Sequence, residues 1–467
     1  MMRDDLLSSE QQIFAWIEEV FRRGIRRPGY PADRWVESWI EQGWRDLGLE
    51  NVRREPVSLP FWEPGRCALT VTGGPEIDCF SLPHAATTTG IEAELVPFDP
   101  AAPERVRGAI ALHDVILMRM PHAALAGRAT WSHDPGNTFA GAAQVLPFGP
   151  GFMAVMEPAI AAGAIGFVGV LRDYPGDSKD YYVPYDGVAR PIAGVWVRGS
   201  DGARLQALVA RGPVRARLEV EAIRETITSD NVVGELPGAD DDVVIVGSHH
   251  DGPWASAVED GSGIALVVAQ AAYWSRLPRS ERPHRLVFLL NAGHMSGGAG
   301  VHAFIARHRD ALARVVLELH LEHAANEFAE CDGVLSATGH PEARWWFTSR
   351  IPRLEDAVRH AIEAEGLTRS LVLPPDVFGP HPTTDGGPFH LEDVPLVNFL
   401  TAPFYLFDAM DTLDKIHRPS LVPVTRAARM ATAETPAVDS TIRTAARVTG
   451  TRLGRWILSS VSIASKR

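Results

Sequence analysis

Apolar residues recur at different spacings along the chain, and the change in spacing separates three regions. From Ser8 to Leu49 they recur every three or four residues, which predicts two helices broken near Pro28 and Gly29. Residues 51–64 resemble a strand followed by a turn. After residue 225, short β-branched runs alternate with longer helical stretches, an order typical of a mostly parallel sheet with helices on both faces.

The last region carries the most regular alternation. Its predicted elements are, in chain order, strand 243–246, helix 264–274, strand 285–290, helix 301–307, strand 315–321, helix 353–365, strand 394–400 and a helical region from residue 422. The middle region is rich in Gly, Pro and Ala, and its short elements, including a helix over 154–167, predict a smaller α/β unit. We therefore predict a doubly wound α/β domain (residues 1–64 and 223–467) with an inserted domain at residues 65–222.

Composition and charge narrow the classes of partner. The chain has 467 residues, 45% of them hydrophobic and 22% charged, as in folded proteins of more than one domain. A net charge of -13 opposes binding to nucleic acid or anionic membranes and favours a small molecule or short peptide as substrate. The acidic start of the chain and the absence of a long apolar run predict a cytoplasmic location. Its oligomeric state, including a homo-oligomer, stays open.

Metal-binding side chains follow three successive predicted strands. They are His249, His250 and Asp251 after the first strand, with Glu259 and Asp260 further on; His294 after the second; and Glu322 and His323 after the third. Ligands of open α/β sheets bind at the carboxyl ends of the strands, and buried imidazoles and carboxylates are rare unless they are paired or metal-bound. The cluster therefore predicts a metal site, and the alternative is a solvated loop whose His and Asp residues are there by chance.

The spacing of these residues resembles a known family. The pattern His249-x-Asp251, followed by Glu259 three residues before Ser262, is similar to the co-catalytic zinc exopeptidases, which include vacuolar and bacterial aminopeptidases and glutamate carboxypeptidase II. Residues 229–238, 384–389 and 411–416 are similar to further segments of that family, and the middle region resembles its inserted protease-associated domain. The resemblance implies a zinc metallopeptidase-like fold over nearly the whole chain.

Several positions depart from the family pattern. Glu259 stands where the family has a bridging Asp, and Gly293-His294 stand where it has a Glu-Glu pair, so the family's general base is absent. The ligand Asp of the family falls on Glu322, which His320 and His323 flank. Its last His ligand falls on Phe407, with Asp408 as the nearest replacement. These changes argue against ordinary aminopeptidase chemistry.

The resemblance and the departures together imply one divalent metal ion. Zinc is favoured, and manganese or iron also suits the ligand types. Its predicted ligands are His249, Glu259, His294 and Glu322. Asp251 is expected to orient His249. The candidates for the catalytic proton transfer are Asp251, His323, His250 and Asp260, with Glu327 a further choice. The candidate substrate-binding residues are Asp408, Tyr405 and His381.

The function predicted from these residues is that of a metal-dependent hydrolase with an atypical, aminopeptidase-like site. It would cleave an amide or other C–N bond in a small substrate, and the small residues around Gly293 would leave room for a non-peptidic or aromatic one. Two alternatives stay open. One is an inactive peptidase relative that acts as a binding protein through the same cleft, and the other is a metal-dependent deaminase or lyase.

Overall fold

The computed structural model describes residues 3–434 and confirms the predicted α/β fold with a mixed, mostly parallel sheet. The last part of the predicted 223–467 segment, residues 435–467, lies outside the described residues. The helices are α1 (Glu10–Phe21), α2 (Pro31–Asp46), α3 (His122–Ala126), α4 (Glu157–Ala161), α5 (Gly199–Val209), α6 (Gly263–Ser275), α7 (Ala299–Arg307), α8 (Pro352–Ala364), α9 (Gly387–Leu391) and α10 (Leu421–Glu434).

The strands fall into one large sheet and two small hairpins. In chain order they are β1 (Glu50–Val71), β2 (Glu76–Ile77), β3 (Cys79–Ser81), β4 (Thr88–Pro97), β5 (Ile110–Ile116), β6 (Arg119–Pro121), β7 (Trp131–His133), β8 (Ala143–Val145), β9 (Gly166–Arg172), β10 (Ala193–Arg198), β11 (Arg215–Leu236), β12 (Val243–His249), β13 (Arg285–Asn291), β14 (Val315–Leu321), β15 (Asn326–Cys331), β16 (Val334–Pro341), β17 (Arg344–Thr348), β18 (Ser370–Leu373) and β19 (Leu396–Thr401).

The part of the sheet that carries the predicted site has the order β11-β13-β12-β14-β19-β17-β18-β7. Strands β13, β12, β14 and β19 are parallel, so their carboxyl ends lie at the same edge. Successive residues of β12 face opposite sides: Val244 and Val246 enter the core beneath α6, α8 and α10, whereas Ile245 enters the core beneath α7 and α9. Both faces are therefore covered, which explains the continuous apolar run of this strand.

Two long antiparallel strands connect this sheet to the middle region. β1 and β11 each span 22 residues and pair along most of their length. The predicted domain boundaries fall within these strands, where Pro64 pairs with Ala222. Beyond that point an apolar core forms from residues of the middle region, among them Leu69, Ile110 and Val168. The division into domains at these positions stays a prediction, as does the likeness of the middle region to a protease-associated domain.

The structure corrects some predicted elements. The predicted helix over 154–167 is wrong in extent, because only Glu157–Ala161 is α-helical and Gly163, at φ +90°, ends it in a conformation that glycine readily adopts. No turn follows the strand predicted over 51–64, which continues to Val71. The hairpin β15–β16 and the strands β17 and β18 were not predicted. Among the described residues, no helix is long and apolar enough to cross a membrane.

Acid is expected to destabilise the fold through His84, which is 3% exposed. Burial lowers the pKa of His84 to about 4, below about 6.5 in an unfolded chain. The unfolded state therefore binds the extra proton, and this contribution to stability, complete above pH 6.5, is lost as the pH falls towards 4. We expect His84→Asn to reduce the loss of unfolding free energy between pH 7 and 4.5 by about 2 kcal/mol. Asparagine tolerates the left-handed conformation of this residue, at φ +58°.

Urea unfolding at several pH values measures this effect, with His302→Asn at an exposed position as the matched control. Equal pH dependence in wild type and His84→Asn would contradict the prediction.

Candidate metal centre

The predicted metal-binding side chains meet at one edge of the sheet. β12 lies between β13 and β14, and His249 at its end pairs with Asn291 at the end of β13. The chain beyond β13 carries His294, and the chain beyond β14 carries Glu322 and His323. This is the edge where ligands bind in open α/β sheets.

Three buried histidines of this cluster share one arrangement. The Nδ1 atoms of His249, His294 and His323 lie 2.9 Å from Asp251 O, 2.8 Å from Asp385 Oδ1 and 2.7 Å from Thr401 O, respectively. A carbonyl or carboxylate oxygen only accepts, so each Nδ1 carries a hydrogen, and Nε2 is the nitrogen of each ring that can bind a metal ion once it is deprotonated. Metal-ligating histidines are typically held in this way.

The three Nε2 atoms converge on one carboxylate. Glu259 Oε1 lies 3.5 Å from Nε2 of His249 and 3.9 Å from Nε2 of His294, and its Oε2 lies 2.5 Å from Nε2 of His323. The imidazoles of His249 and His294 stack with centroids 4.0 Å apart. Nε2 of His249, Nε2 of His323 and Oε2 of Glu259 are buried without an aligned hydrogen bond among the described residues.

Neighbouring segments hold Glu259 in place. The Asp411 carboxylate accepts hydrogen bonds from the backbone N–H groups of Val258 and Glu259, both at 2.9 Å. The fully buried Arg26 donates to the carbonyl oxygens of Ser256 at 2.9 Å and Glu259 at 3.2 Å. The backbone of this loop is therefore fixed from two sides, which orients the glutamate side chain.

The charges around the histidines favour a cation. Burial lowers the pKa of His249 well below its usual value. Burial also opposes protonation of His294 and His323, but the neighbouring Asp385 and Glu259 outweigh it and raise the pKa of each to about 10. The cluster thus takes up protons to balance its carboxylates, and a divalent ion would replace those protons. Three imidazoles and a carboxylate fit zinc.

Glu322 has contacts separate from those of the three histidines and Glu259. It borders the cavity, and its Oε1 lies 3.1 Å from Nε2 of His320, whose Nδ1 lies 2.9 Å from Glu318 Oε1. Burial opposes ionisation of Glu322, but the hydrogen bond with His320 outweighs it, and the pKa of Glu322 is lowered. Two groups of ligand atoms within 4.8 Å of one another contain His249, one with Glu259 and His294 and the other with Asp260 and His323, and neither includes Glu322.

Of three other predicted catalytic residues, Asp251 and His250 have different contacts from those expected, and Asp260 lies at the cluster. The carbonyl of Asp251, not its carboxylate, orients His249; the carboxylate accepts the N–H groups of His294 and Met295, at 3.0 and 2.7 Å, and so fixes the His294 loop. His250 faces away: its ring contacts Asp33 Oδ1 at 2.7 Å and Asp230 O at 2.9 Å, so both nitrogens are occupied. Asp260 Oδ2 lies 3.8 Å from Nε2 of His249, and the carboxylate also contacts the Ser248 hydroxyl and accepts the N–H of Gly263.

The predicted substrate-binding residues also separate. His381 borders the cavity beside the metal cluster. Tyr405 and Asp408 do not: the Tyr405 hydroxyl donates to Asn326 O at 2.5 Å, and Asp408, whose pKa burial raises to about 6, interacts with Ser178 and Tyr174. Phe407 does line the cavity, with its ring 4.7 Å from that of Tyr185. An aromatic wall thus occupies the position where the family carries a histidine.

The cavity next to the cluster has a volume of about 630 Å³ and is mainly apolar. Glu259, His294, Glu322 and His323 form its polar end. Its apolar wall includes Met118, Met120, Leu146, Phe148, Phe152, Trp345, Phe347, Phe378 and Leu400. Residues 118–148, here called the covering segment, supply part of that wall and also pair with β18 through β7.

Sequence reasoning missed several residues of this centre. Asp385 and Asp411 lie in segments that resemble the family, which was the available signal, but neither was selected as a site residue. Tyr185 stacks on His294 with centroids 5.6 Å apart and belongs to a loop rich in Tyr and Asp, a composition typical of loops that cover a site. The apolar wall combines residues more than 200 positions apart, so no local pattern indicated it.

An α/β sheet with imidazoles and carboxylates at its strand ends defines a metal-binding class of enzyme folds, and the comparisons agree with that class. Residues 231–432 match the model of Peptidase family M28. This part of the chain is therefore similar to Peptidase family M28, and the fold is that of the co-catalytic zinc exopeptidases. No curated protein sequence matches it.

Solved structures extend the similarity beyond this domain. A peptidase M28 precursor from Shewanella amazonensis SB2B is 20% identical, with 93% of this chain and 95% of that chain covered and a TM-score of 0.70. An aminopeptidase from Aneurinibacillus sp. strain AM-1 is 20% identical, with 91% and 94% covered and a TM-score of 0.65. A zinc aminopeptidase from Bacillus subtilis is 17% identical, with the same coverage and a TM-score of 0.65. At these identities the similarity concerns the fold.

Proposed function

We propose that this protein is a metal-dependent hydrolase that cleaves an amide or other C–N bond in a small substrate with a large apolar or aromatic group. The observation that carries the proposal is the convergence of three Nε2 atoms on Glu259 in a buried cluster bordering a cavity. The match of residues 231–432 to Peptidase family M28 supports hydrolysis of the peptidase type. A cytoplasmic location and a small-molecule partner remain part of the proposal.

One divalent ion, with zinc favoured, would be held by His249, Glu259, His294 and His323. When bound, such an ion supplies Lewis acidity, which polarises a carbonyl and makes water more nucleophilic. This assignment gives His323 the role of a ligand, because its Nδ1 is anchored by Thr401 O and its Nε2 faces Glu259. Asp385 and the carbonyl of Asp251 are positioning groups, since each fixes the ring of one histidine.

Glu322 is the proposed proton acceptor in place of the family's missing base. Its carboxylate borders the cavity beside His323, and Gly293 leaves no side chain at the family's usual position for the base. The hydrogen bond from His320 orients it. Glu322 would take a proton from the attacking water and return it to the leaving nitrogen. This replaces the role of metal ligand that its place in the sequence suggested.

The apolar wall is the basis for the proposed substrate class. Trp345, Phe347 and Phe378 line the cavity and form a group of aromatic rings with centroids 5.4 to 6.3 Å apart. Burying an aromatic group there removes apolar area from water, and each added methylene contributes about 1 kcal/mol or more to discrimination. The cavity should therefore select large apolar substrates.

Turnover of a substrate panel by zinc-loaded protein tests this proposal. The panel contains anilides of alanine, leucine and phenylalanine with free and acetylated amines, and aromatic amides without an amino acid. We expect kcat/KM to be at least about tenfold higher for aromatic than for alanyl substrates. Trp345→Ala should remove most of that preference, whereas Trp39→Ala, a substitution of a half-buried tryptophan of α2 outside the cavity, should not.

Each outcome of the panel separates the proposed function from its alternatives. Saturable binding of the aromatic compounds without turnover of any member would contradict a hydrolase and favour a binding protein. Release of ammonia from a substrate whose amide bonds stay intact would favour a deaminase or lyase. Equal kcat/KM for alanyl and aromatic substrates would contradict the proposed substrate class.

A further inference from the structure

A second group of metal-binding side chains lies where the covering segment meets the β15–β16 hairpin and the start of β17. Ligand atoms of His122, Glu327 and Glu342 all lie within 4.8 Å of one another. His122 begins α3 in the covering segment, Glu327 belongs to β15, and Glu342 lies between β16 and β17. None of these residues borders the active-site cavity, so the group is separate from the metal centre described above.

His122 is the decisive member of this group. Its side chain is fully buried, and neither ring nitrogen has a hydrogen-bond partner among the described residues. Its ring stacks on Phe139 with centroids 4.7 Å apart, which fixes its plane. Burial lowers the pKa of His122 to about 4, so the imidazole is neutral and keeps a lone pair. A buried polar group without a partner is costly, and a bound ion is one way to satisfy it.

The two carboxylates differ in their partners. Arg369 donates to Glu327 Oε1 at 2.5 Å, and the Thr338 hydroxyl donates to Glu327 Oε2 at 2.8 Å. Glu342 accepts the N–H of Ala343 at 3.1 Å and has no ion-pair partner among the described residues, and burial together with the nearby Glu327 raises its pKa to about 8. A cavity of about 340 Å³ borders both glutamates and also contains Arg119 in its wall.

We propose that His122, Glu327 and Glu342 bind a divalent cation, preferably zinc, that fastens the covering segment to the β15–β16 hairpin and the start of β17. One imidazole and two carboxylates form a ligand set that zinc accepts, with the bordering cavity leaving space for water at a fourth position. The binding ion would displace the proton of Glu342. A proton shared between the two glutamates is the rival arrangement, but it would leave His122 without a partner.

This site would act on the active centre through the covering segment. Met118, Met120 and Leu146, which lie on either side of His122 in the sequence, contribute to the apolar wall of the active-site cavity. The cation would join that wall to β15 and to the start of β17. The role of this cation is structural, and it does not depend on the reaction at the active centre.

Measurement of the zinc content of variants that all carry His249→Ala tests the proposal. The active centre is then impaired equally in every sample, so a difference in zinc content reports on the second site. The full-length protein is stripped with dipicolinate, reloaded with zinc, dialysed and analysed for metal. We expect His122→Gln and Glu342→Gln each to bind about one equivalent less than the background protein. His133→Gln, a substitution in β7 of the same segment, is the matched control and should bind as much as the background.

Thermal unfolding gives an independent measurement. Zinc should raise the Tm of the background and of His133→Gln, and this increase should be absent in His122→Gln and Glu342→Gln. Two substitutions are used so that, if one variant fails to fold, the other still tests the proposal. Equal zinc content and an equal increase in Tm with and without His122→Gln or Glu342→Gln would overturn the proposal. These results are independent of whether the active centre proves to be a hydrolase.

Discussion

His249→Ala is expected to remove metal from the active centre and to lower kcat/KM by about 10³-fold or more. The residue is fully buried, its Nδ1 is anchored by Asp251 O at 2.9 Å, and its Nε2 faces Glu259 at 3.5 Å. It also belongs to both groups of potential ligands at the centre. Because no neighbouring side chain can take its position at the end of β12, alanine leaves the ion without this donor.

Metal analysis and steady-state kinetics with the best aromatic amide measure this effect. His381→Ala is the matched control, since His381 borders the same cavity outside the groups of ligand atoms, and we expect it to retain the active-centre metal. The two variants separate loss of the ion from a general disturbance of the cavity. Unchanged metal content and activity in His249→Ala would mean that the histidine cluster is not the active centre.

Glu322→Gln is expected to lower kcat by about 10² to 10⁴-fold while the protein keeps its active-centre metal. The amide occupies nearly the same volume and can still contact His320, but it cannot accept the proton of water. KM should change little, because substrate binding depends mainly on the apolar wall. The measurement is kcat and KM over a range of pH, together with metal content, on zinc-loaded protein.

Glu318→Gln is the control for this prediction. Glu318 contacts the opposite nitrogen of His320, at 2.9 Å, so its change disturbs the same hydrogen-bonded chain without altering a group at the cavity. We expect an effect on kcat of about tenfold or less. Loss of the metal in Glu322→Gln would contradict the role of base and return Glu322 to the ligand role that its sequence position suggested. Wild-type kcat with metal retained would remove it from the reaction.

Most of the parallel part of the sheet was predictable because its signals are local. The predicted strand 315–321 coincides with β14, and the predicted helix 264–274 differs from α6 by one residue at each end. Both elements are buried along nearly their whole length, so most of their residues are apolar. The strand β17 was missed because its sequence, with Arg344 and two tryptophans, does not by itself identify a strand. Its pairing with the distant, antiparallel β19 does.

The location of the candidate metal site was predictable from the sequence, but the contacts of its individual residues were not. His249 and His250 are adjacent, yet their side chains point to opposite sides, so one faces Glu259 and the other contacts Asp33. Asp33 lies 217 residues from His250 in the sequence. His323 was one of several candidates for proton transfer, and the carbonyl of Thr401 fixes its ring toward Glu259. Such partners come from distant strands, which spacing cannot reveal.

The sequence by itself determined the α/β fold, the collection of imidazoles and carboxylates at the strand ends, and the absence of the family's base at Gly293. Only the tertiary structure decided which nitrogen of each histidine faces Glu259, that Glu322 contacts His320, and that Asp408 lies outside the cavity. It also brought His122 to Glu327 and Glu342. The reason is physical: strand and helix patterns arise from neighbours along the chain, whereas charge, hydrogen bonding and ligand geometry arise from neighbours in space.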